Sequence, residues 1–178
     1  VINTVAGPTG LSDPRGIAVA PNDVVFVTDT HGTQDLKKID AAGVDNLVAL
    51  VNIGSYPHDL AIDDSGVIYV AKSSAGTVVE LDGNLASSVL ISGLSNPRGI
   101  NFGANGFLYV AETYGHRIIA IDPATGGSAS IVGSGTAGFA GDGGLATLAE
   151  LHKPVGVAAD KWGNVFIADS ENARIRLV

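Results

Sequence analysis

Two observations predict an all-β protein built as a ring of four-stranded antiparallel blades, a β-propeller. Pro14, Pro57, Pro97 and Pro154 open similar stretches at spacings of 43, 40 and 57 residues. Each stretch then carries short apolar runs separated by turn residues, four runs in the fuller copies. Periods of about 40 to 50 residues with four strands per unit are the sequence mark of propeller blades. Composition agrees. Hydrophobic residues make up 46% and charged residues 16%, with 24 glycines, which favours short strands and tight turns over helices.

The clearest copy runs from Leu94 to Asp122 as LSNPRGINFGANGFLYVAETYGHRIIAID. An opening turn (Asn96-Pro97-Arg98-Gly99) leads into a short strand, and Asn105-Gly106 turns it into a second strand, FLYVA. A polar corner from Glu112 to Gly115 precedes a third strand, RIIAID. In the other copies Asn22-Asp23, Ser65-Gly66 and Gly163-Asn164 supply the first hairpin turn. The second strands VVFVTD, VIYVAK, FLYVAE and VFIAD are apolar at consecutive positions, so both of their faces are buried, as stacking between blades requires. Phe26, Tyr69, Tyr109 and Phe166 hold equivalent places there and read as core.

The blades are placed at residues 8–54, 55–93, 94–150, and 151–178 together with 1–7. The last repeat stops at RIRLV without an outer strand, while VINTVAG (Val1 to Gly7) is a strand with nothing before it to pair with. Laying VINTVAG beside RIRLV closes the ring and removes an exposed edge. The alternatives are part of a larger ring, or two chains joined head to tail into eight blades. With no Met and no secretory leader pattern, the chain reads as a processed mature protein, an excised domain or a sequence with an undefined start.

Charge narrows the partners. The formal net charge is −8, from 18 acidic and 10 basic residues. Nucleic-acid affinity comes largely from neutralised phosphates, so an acidic chain is a poor candidate, and anionic membranes are disfavoured for the same reason. Apolar runs are too short for a membrane-spanning helix. Zero Cys excludes disulfides and thiolate metal sites.

Antiparallel strands reverse direction, so the loop before the first strand and the loop after the second share one face. That face carries Arg15, His58, Arg98 and Val155 near the channel mouth, and Asp29, Lys72, Glu112 and Asp169 farther out. The long Gly133–Lys153 insertion emerges there too. Loops at one end of a rigid scaffold are where binding sits. Arg15, His58, Arg98, Tyr114, Glu112 and Asp169 are the candidate binding residues; Tyr114 and Tyr56 are read as exposed. The structural alternative pairs Arg15 with Asp29 and Arg98 with Glu112 as turn braces.

Other patterns weigh less. Gly133-Ser134-Gly135-Thr136-Ala137-Gly138 fits GxGxxG but opens no helix and has no βαβ context, so no dinucleotide cofactor is expected. LATLAEL (Leu145 to Leu151) reads as one helical turn or two that packs Leu148 and Leu151 on the ring. Asp142 among glycines is a candidate ligand for a structural calcium, though the EF-type spacing is absent. Trp162, in the last first-hairpin turn, is read as a cap on a neighbouring blade. His31, His58, His116 and His152 do not supply three converging zinc ligands.

The pattern PRGIxVxxxGxxYVAExxxHRIxxID resembles the NHL repeat along essentially the whole chain. The third copy is closest, through Asn96, Pro97, Arg98, Gly99, Gly106, Tyr109, Glu112, His116, Arg117 and Ile118. The second departs most, with His58-Asp59 in place of Arg-Gly and Lys72 in place of an acid. The resemblance implies an NHL propeller in which His116, the signature histidine, makes a structural hydrogen bond. Peptide-amidating lyases of this fold take zinc-binding histidines from several blades, and only His58 matches such a position. The loop GSGTAGFAGDGGLATLAEL resembles an inter-blade loop of bacterial NHL proteins, implying a bacterial secreted, periplasmic or cell-envelope protein.

The expected function is a non-enzymatic scaffold that recognises a protein, peptide or glycan through the loop-rich face, with no metal or cofactor. One alternative is a lyase or hydrolase at the channel mouth, with His58 as base or metal ligand and Arg15 and Arg98 as anion stabilisers. The other is a self-assembling structural protein, a homo-oligomer made as a dimer of four-blade halves or as a filament.

Overall fold

The computed structural model describes residues 11–32, 34–39 and 47–178. They form four antiparallel sheets, each laid out in chain order. The first holds β1 (Pro14–Val19), β2 (Val25–Asp29), β3 (Asp35–Ile39) and β4 (Leu47–Asn52). The second holds β5 (Pro57–Ile62), β6 (Ile68–Lys72), β7 (Thr77–Leu81) and β8 (Ser87–Ile91). The third holds β9 (Pro97–Phe102), β10 (Leu108–Glu112), β11 (Arg117–Ile121) and β12 (Ser128–Val132). The fourth has three described strands, β13 (Pro154–Ala159), β14 (Val165–Asp169) and β15 (Arg174–Leu177). Helix among the described residues is limited to three single 3-10 turns. The expected closing strand, VINTVAG, lies outside the described residues.

Turn chemistry sets the hairpins. The Asp63 carboxylate accepts from the Ser65 and Val67 N–H groups at 2.9 Å each, and Asp160 does the same for Trp162 and Asn164. Asp23, Gly66, Gly106 and Gly163 take the left-handed backbone conformation these turns need. The fourth turn is therefore centred on Lys161-Trp162, earlier than Gly163-Asn164, because the Gly163 N–H closes it on the Asp160 carbonyl and the glycine takes the left-handed position that follows. Trp162 does not cap a blade: it is 77% exposed, with the Lys161 ammonium over its ring.

The blades stack through their inner strands, β1 beside β5, β5 beside β9, and β9 beside β13. Between the second and third blades, Tyr69 meets Phe102 edge-on at 5.1 Å, above Val78, Ile100, Val110 and Ile121. Leu36 and Leu60 lie in the cluster between the first and second blades, and Tyr109, Leu151 and Ile167 in that between the third and fourth. Each second-strand aromatic faces the following blade. Phe166 differs from the core reading because no described blade covers that side of β14, and it is 38% exposed.

The inner strands come very close. A methyl group on Gly99 would lie 2.6 Å from the Val155 carbonyl oxygen and 2.7 Å from the Gly156 Cα. One on Gly16 would lie 2.6 Å from the Asp59 Cα. Asp59 itself stands where the other blades have glycine, and its carboxylate accepts from the Ile100 and Leu60 N–H groups at 3.2 and 2.9 Å. Burial raises the Asp59 carboxyl above its usual value despite those two donors.

A buried carboxylate at the end of the second strand braces three of the blades. Asp29 accepts from Asp13 N–H at 2.6 Å and from Lys37 Nζ at 2.6 Å. Glu112 accepts from Ser95 N–H at 2.7 Å and Arg117 Nε at 2.5 Å. Asp169 accepts from His152 N–H at 2.7 Å and Asn172 Nδ2 at 2.8 Å, with Arg176 Nη1 at 3.6 Å. Each brace ties the loop opening its blade to the corner after the second strand. Burial alone would raise the Asp29 carboxyl, but hydrogen bonds from Lys37 and from the Asp13 and Ser12 N–H groups outweigh it and hold it below the ordinary value.

Two predictions test this frame. Gly99→Ala forces backbone against backbone and should cost about 1–3 kcal/mol in denaturant unfolding, whereas Gly83→Ala, with nothing within 4 Å of its added methyl, should stay within about 0.5 kcal/mol of wild type. The lowered Asp29 pKa contributes stability present above the unfolded-state value of 3.8 and lost as pH falls below it through the folded value. Unfolding midpoints followed through that acid range should fall less steeply for Asp29→Asn than for wild type.

Candidate functional site

Every inner strand carries a bulge near its start. The pairing register slips between Pro14 and Ile17, Pro57 and Asp59, Pro97 and Ile100, and Pro154 and Gly156. Arg15, His58, Arg98 and Val155 all fall in these slips, so the same distortion is repeated four times around the axis. A bulge bends the strand and re-aims a side chain, and bulges concentrate beside functional sites. Residue order puts these side chains at the mouth, but the bulge that carries them is not visible in it. Its trace is the residue that separates the opening proline from the following glycine or Asp59.

The bulges are linked from blade to blade. Gly16 N–H donates to the buried Thr28 hydroxyl at 2.9 Å, and that hydroxyl donates to the His58 carbonyl at 3.1 Å. The Thr113 hydroxyl donates to the Pro154 carbonyl at 2.8 Å. The bulges at Arg15, His58 and Val155 are thus tied to the neighbouring blade by threonine hydroxyls.

The charges differ from the expected pairs. Arg15 reaches Asp13, with Nη2 at 2.8 Å, rather than Asp29, which is taken by Lys37. Arg98 donates from Nε to Asn96 Oδ1 at 2.9 Å, while Glu112 is taken by Arg117. The reason is geometric: the second-strand acid points along its sheet toward a base on the third strand, while the bulge turns the arginine away. Among the described residues Arg98 has no carboxylate within 4 Å. Half-buried His58 lies close enough to feel both guanidiniums. Burial first, then the charges of Arg98 and Arg15, lower its imidazole pKa from 6.5 to about 4 against the opposing charge of Asp13. At neutral pH His58 is an uncharged donor and acceptor between two cations.

Farther from the axis, Tyr114 and Tyr56 are 56% and 53% exposed, as the sequence indicated. Glu112 and Asp169 are buried braces behind that surface. A cleft of about 450 Å³ runs along the four inner strands, lined by Ile17, Val19, Leu60, Ile100 and Val157 among others. A larger cavity, about 580 Å³, lies on the opposite face between the first turns of the second and third blades. Of its acids Asp63, Asp64 and Asp122, the first and last accept turn hydrogen bonds.

The Gly133–Lys153 insertion is fastened to the fourth blade. Arg176 donates from Nη1 to the Glu150 carbonyl at 2.6 Å and from Nη2 to Asp142 Oδ1 at 2.5 Å, and Phe139 packs under the Arg174 guanidinium. Asp142, the candidate calcium ligand, is thus engaged by a cation. No group of three His, Asp or Glu residues converges as a metal site among the described residues. His116 Nδ1 accepts from the Lys153 N–H at 3.2 Å, the structural bond its position implied, and its ring lies 5.7 Å from that of His152. Leu151 is fully buried as expected; Leu148 is 69% exposed, because the helical stretch is one 3-10 turn, Ala146–Leu148.

Comparison with known proteins supports the same architecture. Residues 151–176 match the NHL repeat. Mouse teneurin-1 is 25% identical over 229 aligned positions, which take in 97% of this chain and 8% of teneurin-1. An auxiliary nutrient binding protein of Bacteroides thetaiotaomicron superposes with a TM-score of 0.74 at 17% identity, over 91% of this chain and 46% of that one. Virginiamycin B lyase of Staphylococcus aureus superposes with a TM-score of 0.64 at 16% identity, over 93% and 55%. The chain thus spans about half the length of these solved proteins and a small part of teneurin-1. At such identities the structural likeness concerns fold alone. Repeat pattern, sheet order and superposition agree: the chain has a β-propeller fold, with an NHL repeat matched at residues 151–176.

Proposed function

We propose that the chain is a recognition scaffold, working outside the cytoplasm, that binds a protein, peptide or glycan through its loop-rich face. The observation that carries the reading is Arg98, a half-buried guanidinium at a bulge of the channel mouth with no carboxylate partner among the described residues. A cation held by the neutral Asn96 side-chain oxygen, with exposed Tyr114 farther out on the same loop face, is suited to an incoming polar or anionic group. The likeness to an auxiliary nutrient binding protein supports ligand binding.

The likeness to a lyase keeps an enzymatic reading in view, but His58 is poorly tuned for it. A general base works best with a pKa near the operating pH, and an imidazole at about 4 is neutral yet weakly basic. Its better use is as a neutral hydrogen-bonding group between Arg15 and Arg98.

Capture of an immobilised panel of peptides and of neutral and acidic oligosaccharides tests the proposal. Arg98→Ala and Tyr114→Ala should each weaken capture by about tenfold, equivalent to roughly 1.4 kcal/mol, while the thermal midpoint holds. Loss of capture only together with loss of folding would leave those residues a structural role. Turnover of a lactone, ester or peptidyl-glycine mimic that disappears in His58→Ala would move the reading to the enzyme.

The histidine makes a separate prediction. A folded pKa of about 4 against 6.5 unfolded means the unfolded chain binds the extra proton first, so this group's contribution to stability falls as pH drops from 6.5 toward 4. His58→Gln should flatten that segment of the stability profile, and an unchanged slope would mean the imidazole is not held neutral.

A further inference from the structure

The first and third blades open on the same pattern, a polar residue, a proline and an arginine: Asp13-Pro14-Arg15 and Asn96-Pro97-Arg98. In the first blade the polar residue is an acid, and it takes up its arginine. Asp13 Oδ2 accepts from Arg15 Nη2 at 2.8 Å and from Nε at 3.1 Å, and the Thr30 hydroxyl donates to the same oxygen at 2.8 Å. In the third blade the residue is a neutral amide. Asn96 Oδ1 accepts from Arg98 Nε at 2.9 Å, and neither Nη atom of Arg98 has a hydrogen-bond partner among the described residues. An amide oxygen satisfies one N–H but leaves the guanidinium charge unmatched. Half-buried Arg98 thus leaves free the Nη2 that in Arg15 a carboxylate occupies.

Backbone contacts put His58 between the two arginines. A methyl group on Gly16, next to Arg15, would lie 2.6 Å from the Asp59 Cα, and the Asp59 carboxylate accepts from the Ile100 N–H at 3.2 Å. The bulges of β1, β5 and β9 therefore stand side by side, with His58 on the middle strand. Its ring makes no hydrogen bond among the described residues and is uncharged at neutral pH, so it offers one N–H. On the other side of Arg98 the equivalent residue is Val155, which has no side-chain donor. Because Asp13 cancels Arg15, this part of the mouth presents one unmatched positive charge and one neutral donor. That set matches a singly charged group with two acceptor oxygens; a phosphate dianion would keep one charge without a partner.

We propose that the third blade's opening is a carboxylate site, in which Arg98 pairs through its free Nη atoms with a ligand's carboxylate and His58, on the adjacent strand, donates to the same group. The assignment rests on the reading of the mouth as a recognition face and gives that face its ligand chemistry. Asp13 on Arg15 is the chain's own example of the pairing, made there by an internal acid and here by an incoming one. The carboxylate is the same group whether an acidic side chain or a hexuronic acid brings it.

Titration calorimetry with matched pairs tests this: an oligogalacturonide against its methyl ester, and an aspartate-containing peptide against its asparagine counterpart. The carboxylate member of at least one pair should bind about tenfold more tightly than its neutral form, and the pair that does so names the source. Asn96→Asp gives Arg98 the partner that Arg15 already has, and should erase that preference while circular dichroism and the thermal midpoint hold. Asp13→Asn frees Arg15 and should strengthen carboxylate binding by about threefold, a modest gain because Arg15 is exposed, and one that misfolding cannot produce. Equal binding within every pair, or a preference that survives Asn96→Asp, overturns the carboxylate site and leaves the recognition scaffold standing. Binding of neither form, by a chain that also captures nothing from the wider panel of peptides and oligosaccharides, removes the scaffold reading and this site with it.

Discussion

Neighbouring inner strands approach so closely that Gly99 has no room for a single methyl group against the Val155 carbonyl. That spacing lets successive sheets bury both of their faces, and it accounts for the aliphatic clusters that fill the gaps between blades. It also imposes the backbone shape at the mouth. The residue before each such position is displaced into a bulge, and three of the four displaced residues carry basic or imidazole side chains. Packing at the axis and chemistry at the mouth are consequences of the same constraint.

The buried carboxylates act at one remove from the mouth. Burying an ionised group is costly unless hydrogen bonds and an opposite charge compensate it, and Asp29, Glu112 and Asp169 receive both. Each accepts from the backbone of the loop that opens its blade, so the loops of the recognition face are held by groups the ligand would not touch. Because the third-strand bases are used in this way, Arg98 is left without an acid. The second blade, with Lys72 where the others have an acid, instead ties its loop through Tyr56 N–H to Gln34 Oε1 at 3.0 Å.

Burial in this fold depends on position in the row as much as on residue type. Phe166 and Tyr69 hold the same place in their repeats, and only Tyr69 has a described blade in front of it. The aromatic itself is not what decides the difference. It follows from stacking order, since a blade can shield only the faces its neighbours cover.

Repeat spacing, strand number, the turn residues and the shared loop face could all be read from the amino-acid order, because each rests on contacts within one repeat. The partners of Arg15 and Arg98, the bulges that carry them, the neutral state of His58 and the exposure of Phe166 and Leu148 could not. Those depend on how far apart adjacent strands and blades lie, a distance that many side chains set together. A residue's own type and its sequence neighbours determine its strand and its face; which charge it meets, and whether anything covers it, only the assembled packing decides.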